Sequence, residues 1–176
     1  MPTYLMKSEP SEYSIADLEK DGTTLWYGVR NYQARNFMRD MQAGDRVLFY
    51  HSTCPEPGIY GLARIVAPTQ TLLDDFCTKH HVAQKFDFIG EKILPDPTQF
   101  DPNSKYFDSK SLLEKPRWYA AAVEFQEVLT KPILLSDLRD IPDLASLRVL
   151  QTGNRLSITP VTDLEYNRIR THFLFV

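Results

Sequence analysis

The sequence predicts an α+β fold: a curved sheet or small open barrel of about five to six strands, flanked by short helices. Five segments have the alternation of apolar and polar residues that is typical of strands, and the short helical patterns between them do not follow the regular alternation of a parallel sheet. Glycine-rich phosphate-binding motifs are absent, which argues against a nucleotide-cofactor fold. With 176 residues, 43% of them hydrophobic, the chain is long enough to bury the core of a single domain.

The first half of the chain contains three predicted strands and two predicted helices. The strands cover residues 3–9, 46–52 and 59–66, and the helices cover residues 14–20 and 31–42. Ser14 and Asn31 precede the two helices and are of the types that cap a helix N-terminus. Gly22 and Gly44 stand where C-terminal caps belong. The second helix has an apolar stripe at helical spacing, formed by Ala34, Phe37, Met38 and Met41.

Residues 68–117 are the least regular part of the sequence, with five prolines and many aspartates and serines. A helix over residues 72–85 fits the pattern, and the remainder is predicted to be a long loop, which in a compact domain is functional or mobile. The elements predicted after this loop are a strand at 118–129, short helices from Ser136 and at 144–150, a strand at 155–159, and a helix from Thr162 to about residue 171.

The charge distribution restricts how this chain can bind nucleic acid. The formal net charge is −3, so the surface as a whole is not a cationic one. Residues 26–53 nevertheless carry four arginines against two aspartates, whereas residues 1–25 carry two lysines against five carboxylates. Any contact with phosphates must therefore use a local patch of positive charge.

The sequence offers no organised metal or redox site. Cys54 and Cys77 have no CxxC spacing, and we expect both to be reduced thiols. The adjacent His80 and His81 lack the spacing of metal ligands, so we predict neither a metal nor a cofactor. The N-terminus has no signal-peptide pattern, and no apolar run approaches membrane-spanning length. We therefore expect an intracellular protein, cytoplasmic or nucleoid-associated in a bacterium and nuclear in a eukaryote.

The run from Trp26 to Asn36 carries the strongest functional signal in the sequence. It combines aromatic rings with two arginines, two asparagines and a glutamine, and it contains no carboxylate to balance the cations. Such groups stack on flat rings and hydrogen-bond to base edges, which is the chemistry of reading a base. The candidate residues in this run are Trp26, Arg30, Asn31, Tyr32, Gln33, Arg35 and Asn36. We expect Trp26 to stack on the base and the two arginines to bind phosphates.

Three other short stretches combine hydroxyls or a ring with cations near predicted strand ends. Their candidate residues are Lys7, Ser8, Tyr50, Ser52, Arg155 and Ser157. We predict that the first two stretches, residues 7–8 and 50–52, meet the Trp26–Asn36 run in one pocket that accepts a single base. Alternation places His51 on the other face of its strand, where we expect a structural histidine. For Trp118 we expect packing in the core.

The sequence leaves a structural alternative open for most of these candidates. The two arginines of the run can pair with Asp40 or Asp45, and Asn31 can serve only as a helix cap. The strand-end residues can be ordinary sheet termini, and Arg155 can belong to a structural ion pair.

Several of these motifs together make the chain similar to the EVE domain family. The motifs are Lys7-Ser-Glu-Pro10, Gly28-Val-Arg-Asn-Tyr-Gln-Ala-Arg-Asn36, Phe49-Tyr-His-Ser52, Pro57-Gly-Ile59 and Arg155-Leu-Ser-Ile-Thr-Pro160, and they span nearly the whole chain. The resemblance implies a single EVE domain over residues 1–176 with a PUA-like fold, a bent open β-barrel flanked by helices. It also implies binding of nucleic acid with a modified base, for example a methylated one, in a pocket for one extruded nucleotide.

The sequence departs from the family pattern near residues 71–92. Members of the family pass quickly from the strand after Pro-Gly-Ile to a Tyr-Pro-Asp motif, whereas here Leu94-Pro-Asp96 takes that place after an insertion. The insertion can line the pocket, cover it or form a contact surface.

The sequence therefore predicts a monomeric reader that binds DNA or RNA with a modified base, with no membrane partner. Two alternatives from other classes remain open: a small enzyme that acts on a nucleobase or nucleotide, and a protein-interaction module that uses the 71–92 insertion. Flipped-base pockets also serve enzymes, so the fold does not exclude chemistry. Glu9 is the single carboxylate within the shared motifs, however, which leaves the candidates without a matched acid and base.

Overall fold

The computed structural model of the protein describes residues 1–82 and 93–175. The strands among these residues form one open seven-stranded sheet. Its strands are β1 (Thr3–Ser8), β2 (Thr23–Trp26), β3 (Arg46–His51), β4 (Gly58–Val66), β5 (Leu94–Pro95), β6 (Tyr119–Leu134) and β7 (Ile158–Val161). The order across the sheet is β2-β6-β4-β3-β1-β7, with β5 paired to β6. β1 and β3 run parallel, and the other pairs of these strands are antiparallel.

Short helices pack against this sheet, which confirms the predicted α+β class. The α-helices of the described residues are α1 (Ile15–Asp21), α2 (Tyr32–Asp40), α3 (Gln70–Lys79), α4 (Leu135–Arg139) and α5 (Asp163–Ile169). A π-helical turn follows α5 at Arg170–Leu174, and 3-10 turns occupy Pro97–Phe100, Pro142–Leu144 and Arg148–Leu150. The predicted N-terminal caps are confirmed, because the Ser14 and Asn31 side chains accept hydrogen bonds from backbone N–H groups in the first turns of α1 and α2. Gly22 caps the C-terminal end of α1 as predicted, but the prediction for Gly44 was wrong, because α2 ends at Asp40 and its C-terminal cap is Met41.

Alternation along β1 and β3 divides the apolar core between the two faces of the sheet. On one face, Met6 and Phe49 pack with Trp26 and with residues of α1 and α2. On the other face, Leu5 and Leu48 pack with residues of α4 and α5. The sheet is therefore covered on both sides, and the open positions lie at the strand ends.

Two strands, β2 and β5, were not predicted from the sequence. β2 has four residues at an edge of the sheet and β5 has two, so neither is long enough to show a clear alternation. The predicted end of β6, residue 129, was also wrong, because this strand continues to Leu134.

The last strand and the third helix differ from their predicted bounds. β7 covers residues 158–161 instead of 155–159, so it includes Pro160. Among the described strands, β7 lies at an edge of the sheet and pairs with β1 alone. An edge strand accommodates proline because only one of its sides is hydrogen-bonded. The helix predicted over residues 72–85 is α3, which ends at Lys79, and the part of that prediction beyond residue 82 lies outside the described residues.

His51 is the structural histidine that the sequence predicted. It is buried, and its Nε2 accepts a hydrogen bond from the N–H of Ile15 at 3.1 Å, in the first turn of α1. Its ring stacks on Tyr60 with the centroids 4.2 Å apart. Burial lowers the pKa of His51, which keeps Nε2 unprotonated and able to accept. His51 thereby connects the end of β3 to α1.

We expect His51 to make the stability of the fold depend on pH. Its pKa is lower in the folded chain than the ordinary value of about 6.5, so folding favours the neutral ring. The stabilisation is complete above the ordinary pKa and is lost as the pH falls through the lower, folded pKa. Between about pH 7.5 and about pH 5.5, the Tm of the wild-type chain should fall more than that of His51→Gln, whose amide oxygen can accept the same bond without titrating. Parallel Tm curves for the two proteins would contradict this role.

Candidate functional site

A cavity of about 430 Å³ opens where the ends of β1, β3 and β7 meet the segment that follows β2. Its lining residues are Lys7, Ser8, Glu9, Glu12, Tyr13, Thr24, Leu25, Trp26, Tyr27, Gly28, Val29, Ser52, Lys79, His80, Tyr106, Arg155 and Ser157. Its volume lies in the range of small-ligand sites, roughly 300–1,000 Å³. A polar group from the strand ends and an aromatic group around Tyr27 supply most of its functional side chains.

Strand pairing brings the polar group together. β1 and β3 are parallel, so their C-terminal ends lie at the same edge of the sheet, and the residues before the antiparallel β7 lie there too. One backbone bond joins Ser52 N–H to Ser8 O at 3.0 Å, just beyond β3. Another joins Lys7 N–H to Ser157 O at 2.8 Å. The polar group consists of Lys7, Ser8, Ser52, Arg155 and Ser157.

Two cations of the polar group have no carboxylate partner among the described residues. Lys7 is half-buried, and desolvation lowers the pKa of its ammonium group, whose Nζ lies 5.9 Å from the centroid of the Tyr50 ring. Arg155 is exposed, and no ion pair joins it to a described residue. Lys79, by contrast, forms an ion pair with Asp21, with its Nζ 3.4 Å from Asp21 Oδ2. Lys7 and Arg155 are therefore the cavity cations best able to bind an added anion.

The aromatic group consists of Tyr27, His80 and Tyr106, together with Trp26. The Tyr27 ring meets His80 and Tyr106 edge to face, with centroids 4.8 and 5.7 Å away. Gly28 permits this packing, because its φ is +79° and a Cβ there would lie 2.7 Å from the Tyr106 ring. The group thus combines residues from three distant parts of the sequence.

Trp26 belongs both to the core and to the cavity lining. Its side chain is nearly buried, with 8% of the residue exposed, and its ring meets Phe49 edge to face at 5.4 Å. A ligand can therefore reach only part of the Trp26 ring, and stacking must also use the neighbouring aromatic side chains.

Arg30 has a structural role in place of the phosphate contact that we expected. Its guanidinium donates to the Asp96 carboxylate at 2.9 Å and to Thr98 Oγ1 at 3.2 Å. It also donates to the backbone oxygens of Val29 and Tyr106. These five hydrogen bonds use all five N–H groups of the guanidinium, which leaves none for a phosphate.

The Asp96 carboxylate connects the segments that form the aromatic group. Asp96 is fully buried, and its Oδ2 accepts from Gly28 N–H at 2.8 Å as well as from Arg30. Its Oδ1 accepts from the N–H and the hydroxyl of Thr98, at 2.8 and 2.6 Å. Because Arg30 also binds the backbone of Tyr106, this network fixes Tyr106 relative to the loop that follows β2.

The structure divides the predicted site residues into two sets. Lys7, Ser8, Trp26, Ser52, Arg155 and Ser157 line the cavity, whereas Arg30, Asn31, Tyr32, Gln33, Arg35, Asn36 and Tyr50 do not. The guanidinium carbon of Arg35 lies 4.8 Å from the centroid of the Tyr32 ring, and the Arg35 guanidinium donates to the backbone oxygen of Arg117. Arg35 therefore does not pair with Asp40 or Asp45, the two aspartates considered from the sequence. Trp118 is buried as predicted, and its indole N–H donates to Asp108 at 2.7 Å.

Tyr50 faces the second core instead of the cavity. It is 3% exposed and packs with Leu48 and Ile59. Alternation within β3 places Leu48 and Tyr50 on one face, but it does not extend to Ser52, which lies beyond the end of the strand. Ser52 therefore lines the cavity and Tyr50 does not.

His80 and Tyr106 were not predicted as cavity residues. His80 attracted attention only as a metal ligand, and the described residues contain no group of three or more His, Cys, Asp or Glu side chains arranged to hold a metal ion. Tyr106 lies in the irregular segment, where the sequence has no periodic pattern. Tyr27 lies within the run that the sequence singled out, but it was not among the candidate residues.

A sequence model of the EVE domain matches residues 3–87 and 86–172, nearly the whole chain. Human thymocyte nuclear protein 1 is 35% identical over 182 residues, which cover 93% of this chain and 70% of that protein. The chain belongs to the EVE domain family. The chicken protein of the same name is also 35% identical, and this chain spans 65% of its length.

Solved structures of this family share the fold. A Pseudomonas syringae protein is 40% identical, with a TM-score of 0.79, and the match covers 96% of this chain and 97% of that one. Human thymocyte nuclear protein 1, solved in complex with DNA that contains 5-methylcytosine, is 34% identical, with a TM-score of 0.78 and coverage of 97% and 96%. The PUA-like fold that the motifs implied is thereby confirmed. Within the described residues, no helix has the length and apolar content needed to cross a bilayer.

We expect Arg30→Ala to destabilise the fold strongly. The substitution leaves the fully buried Asp96 carboxylate without its cation, and breaking a buried pair in this way costs about 3–5 kcal/mol. Arg155→Ala is the matched control, since Arg155 is exposed and should change the free energy of unfolding by less than about 0.5 kcal/mol. Urea unfolding of both variants measures the difference. Equal, small effects would show that the Arg30 pair is not structural.

Proposed function

We propose that this EVE-family chain binds DNA and takes one modified base, such as 5-methylcytosine, into the cavity beside Trp26. The observation that carries the proposal is the meeting, in one cavity, of an aromatic group with two cations that lack carboxylate partners. The human relative solved with 5-methylcytosine DNA supports DNA, in preference to RNA, as the partner.

The aromatic group supplies the binding energy for an extruded base in this proposal. Stacking of a base on an aromatic side chain contributes roughly 1–3 kcal/mol. Tyr27 and Tyr106 both line the cavity, and Gly28 has no side chain to clash with the Tyr106 ring. A methyl group on the base adds apolar surface that aromatic side chains can cover.

Lys7 and Arg155 bind the phosphates beside the extruded nucleotide. Both line the cavity, and both lack a carboxylate partner among the described residues. Because the net charge of the chain is −3, the surface as a whole does not attract DNA, and the affinity should be modest and sensitive to salt.

We infer that the chain is a monomeric, single-domain reader and not an enzyme. A nucleophile needs a base at hydrogen-bond distance, and the Ser8 hydroxyl in the cavity donates instead to the backbone oxygen of Tyr13. Glu12, a carboxylate of the lining, is paired with Lys105 at 3.1 Å. A reader of DNA would work at the nucleoid or in the nucleus.

Filling the cavity should abolish recognition of the modified base. Ser157→Phe places a ring in the lining, and Ser109→Phe is the control at an exposed position outside it. We expect Ser157→Phe to weaken binding of a 5-methylcytosine duplex about tenfold or more, since the displaced stacking is worth roughly 1–3 kcal/mol. Fluorescence anisotropy with labelled methylated and plain duplexes measures both variants. Wild-type affinities that do not depend on the modification would refute the proposal.

Replacing Arg155 should weaken binding to all duplexes alike. A phosphate contact carries no base information, so Arg155→Gln should leave the preference for the modified base unchanged and lower the salt slope of the binding constant by about 1. Lys131→Gln, on an exposed part of β6 outside the cavity lining, should change neither. The measurement is the binding constant of the wild type, Arg155→Gln and Lys131→Gln as a function of salt concentration. The phosphate role fails if Arg155→Gln keeps the wild-type slope.

A further inference from the structure

The C-terminal end of α3 supplies the cavity with a histidine. α3 lies in the segment near residues 71–92 that we expected from the sequence to be an insertion, and His80, which caps the C-terminal end of the helix, lines the cavity. The described part of this segment therefore contributes directly to the site instead of forming a separate surface.

The sheet holds α3 firmly enough to position His80. Leu73 and Phe76 of the helix are buried against Leu25 of β2 and Leu94 of β5 in a small core of their own. The backbone N–H of His80 donates to Phe76 O at 3.0 Å, and the two rings lie 4.3 Å apart. The imidazole is thus fixed by the same packing that attaches α3 to the edge of the sheet.

The polar atoms of the His80 ring are available to a ligand. The ring contacts those of Phe76 and Tyr27, but neither ring nitrogen has a hydrogen-bond partner among the described residues. Neither nitrogen is sealed from solvent. Burial lowers the pKa of His80, and the neighbouring Lys79 adds to this effect, so the ring is neutral at pH 7. A neutral imidazole offers one donor and one acceptor.

We propose that His80 forms a hydrogen bond with the polar edge of the bound base and is a specificity-determining residue of the cavity. This inference rests on the proposed function, since it assigns a role within the same site. Stacking on the other aromatic rings of the cavity is tolerant of base identity, because every base has a flat face. A hydrogen bond to the edge of the base is the interaction that separates one base from another.

A purely structural role for His80 makes a different prediction. If the ring only fills space between Tyr27 and Phe76, phenylalanine should replace it without loss, because it keeps the apolar ring contacts. If the ring nitrogens bind the base, His80→Phe should lose that bond and keep the packing. His80→Phe therefore separates the two roles.

A double-mutant cycle tests the bond directly. One change is His80→Phe, and the other replaces 5-methylcytosine in the duplex by 2,4-difluorotoluene, which keeps the shape and the methyl group but lacks the hydrogen-bonding edge. With the target opposite an abasic site, extrusion breaks no base pair in either duplex. We expect His80→Phe to weaken binding of the 5-methylcytosine duplex about two- to tenfold and to leave binding of the isostere duplex unchanged.

The controls keep every outcome informative. His172→Phe, at an exposed position outside the cavity lining, should bind both duplexes as the wild type does. His80→Gln, which retains a donor and an acceptor, should recover part of the lost affinity. Thermal unfolding verifies that each variant is folded, and His80→Leu takes the place of His80→Phe in the cycle if that variant is not.

The result also separates this inference from the proposed function. If His80→Phe weakens binding of both duplexes by the same factor, or of neither, the hydrogen bond is refuted while the reader function stands. If the wild-type chain binds neither duplex, both proposals are refuted.

Discussion

A buried carboxylate, that of Asp96, holds the candidate site together. A charge that is fully removed from water is stable only when hydrogen bonds and an opposite charge surround it, and Asp96 obtains them from Gly28, Arg30 and Thr98. These bonds join the loop before α2 to the turn after β5, and Arg30 extends them to the backbone of Tyr106. The aromatic group of the cavity therefore depends on an ion pair that does not itself line the cavity.

The residues that hold the aromatic group in place are therefore different from the residues that line the cavity, and the sequence motifs contain both kinds. The run from Trp26 to Asn36 was expected to supply both the stacking ring and the phosphate-binding arginines, but all the N–H groups of Arg30 are occupied within the protein. The cations that remain available, Lys7 and Arg155, come from strand ends that parallel and antiparallel pairing places at one edge of the sheet. The C-terminal end of α3 then adds the His80 side chain to the same cavity.

Local patterns in the sequence predicted the parts of this arrangement that depend on neighbouring residues. The N-terminal caps of α1 and α2, the alternation of β1 and β3 and the polar strand-end residues were all recognisable. Longer-range features were not, because no local pattern reports them. Asp96 lies 66 residues from Arg30, and the sequence drew attention to Asp40 and Asp45 instead. His80 and Tyr106 likewise reach the cavity only through tertiary packing, and no periodicity marks them.

The two tryptophans provide the most direct test of where a base binds. Trp26 lines the cavity, whereas the Trp118 indole N–H is bonded to Asp108 outside it, so each gives a separate signal in a ¹⁵N–¹H NMR spectrum. The protein is saturated in turn with a 5-methylcytosine duplex and with the unmethylated duplex. The chemical shift of the Trp26 indole signal should differ between the two complexes, whereas that of the Trp118 signal should be the same in both. Identical Trp26 shifts in the two complexes would contradict the account, because the modified base would then lie away from the cavity.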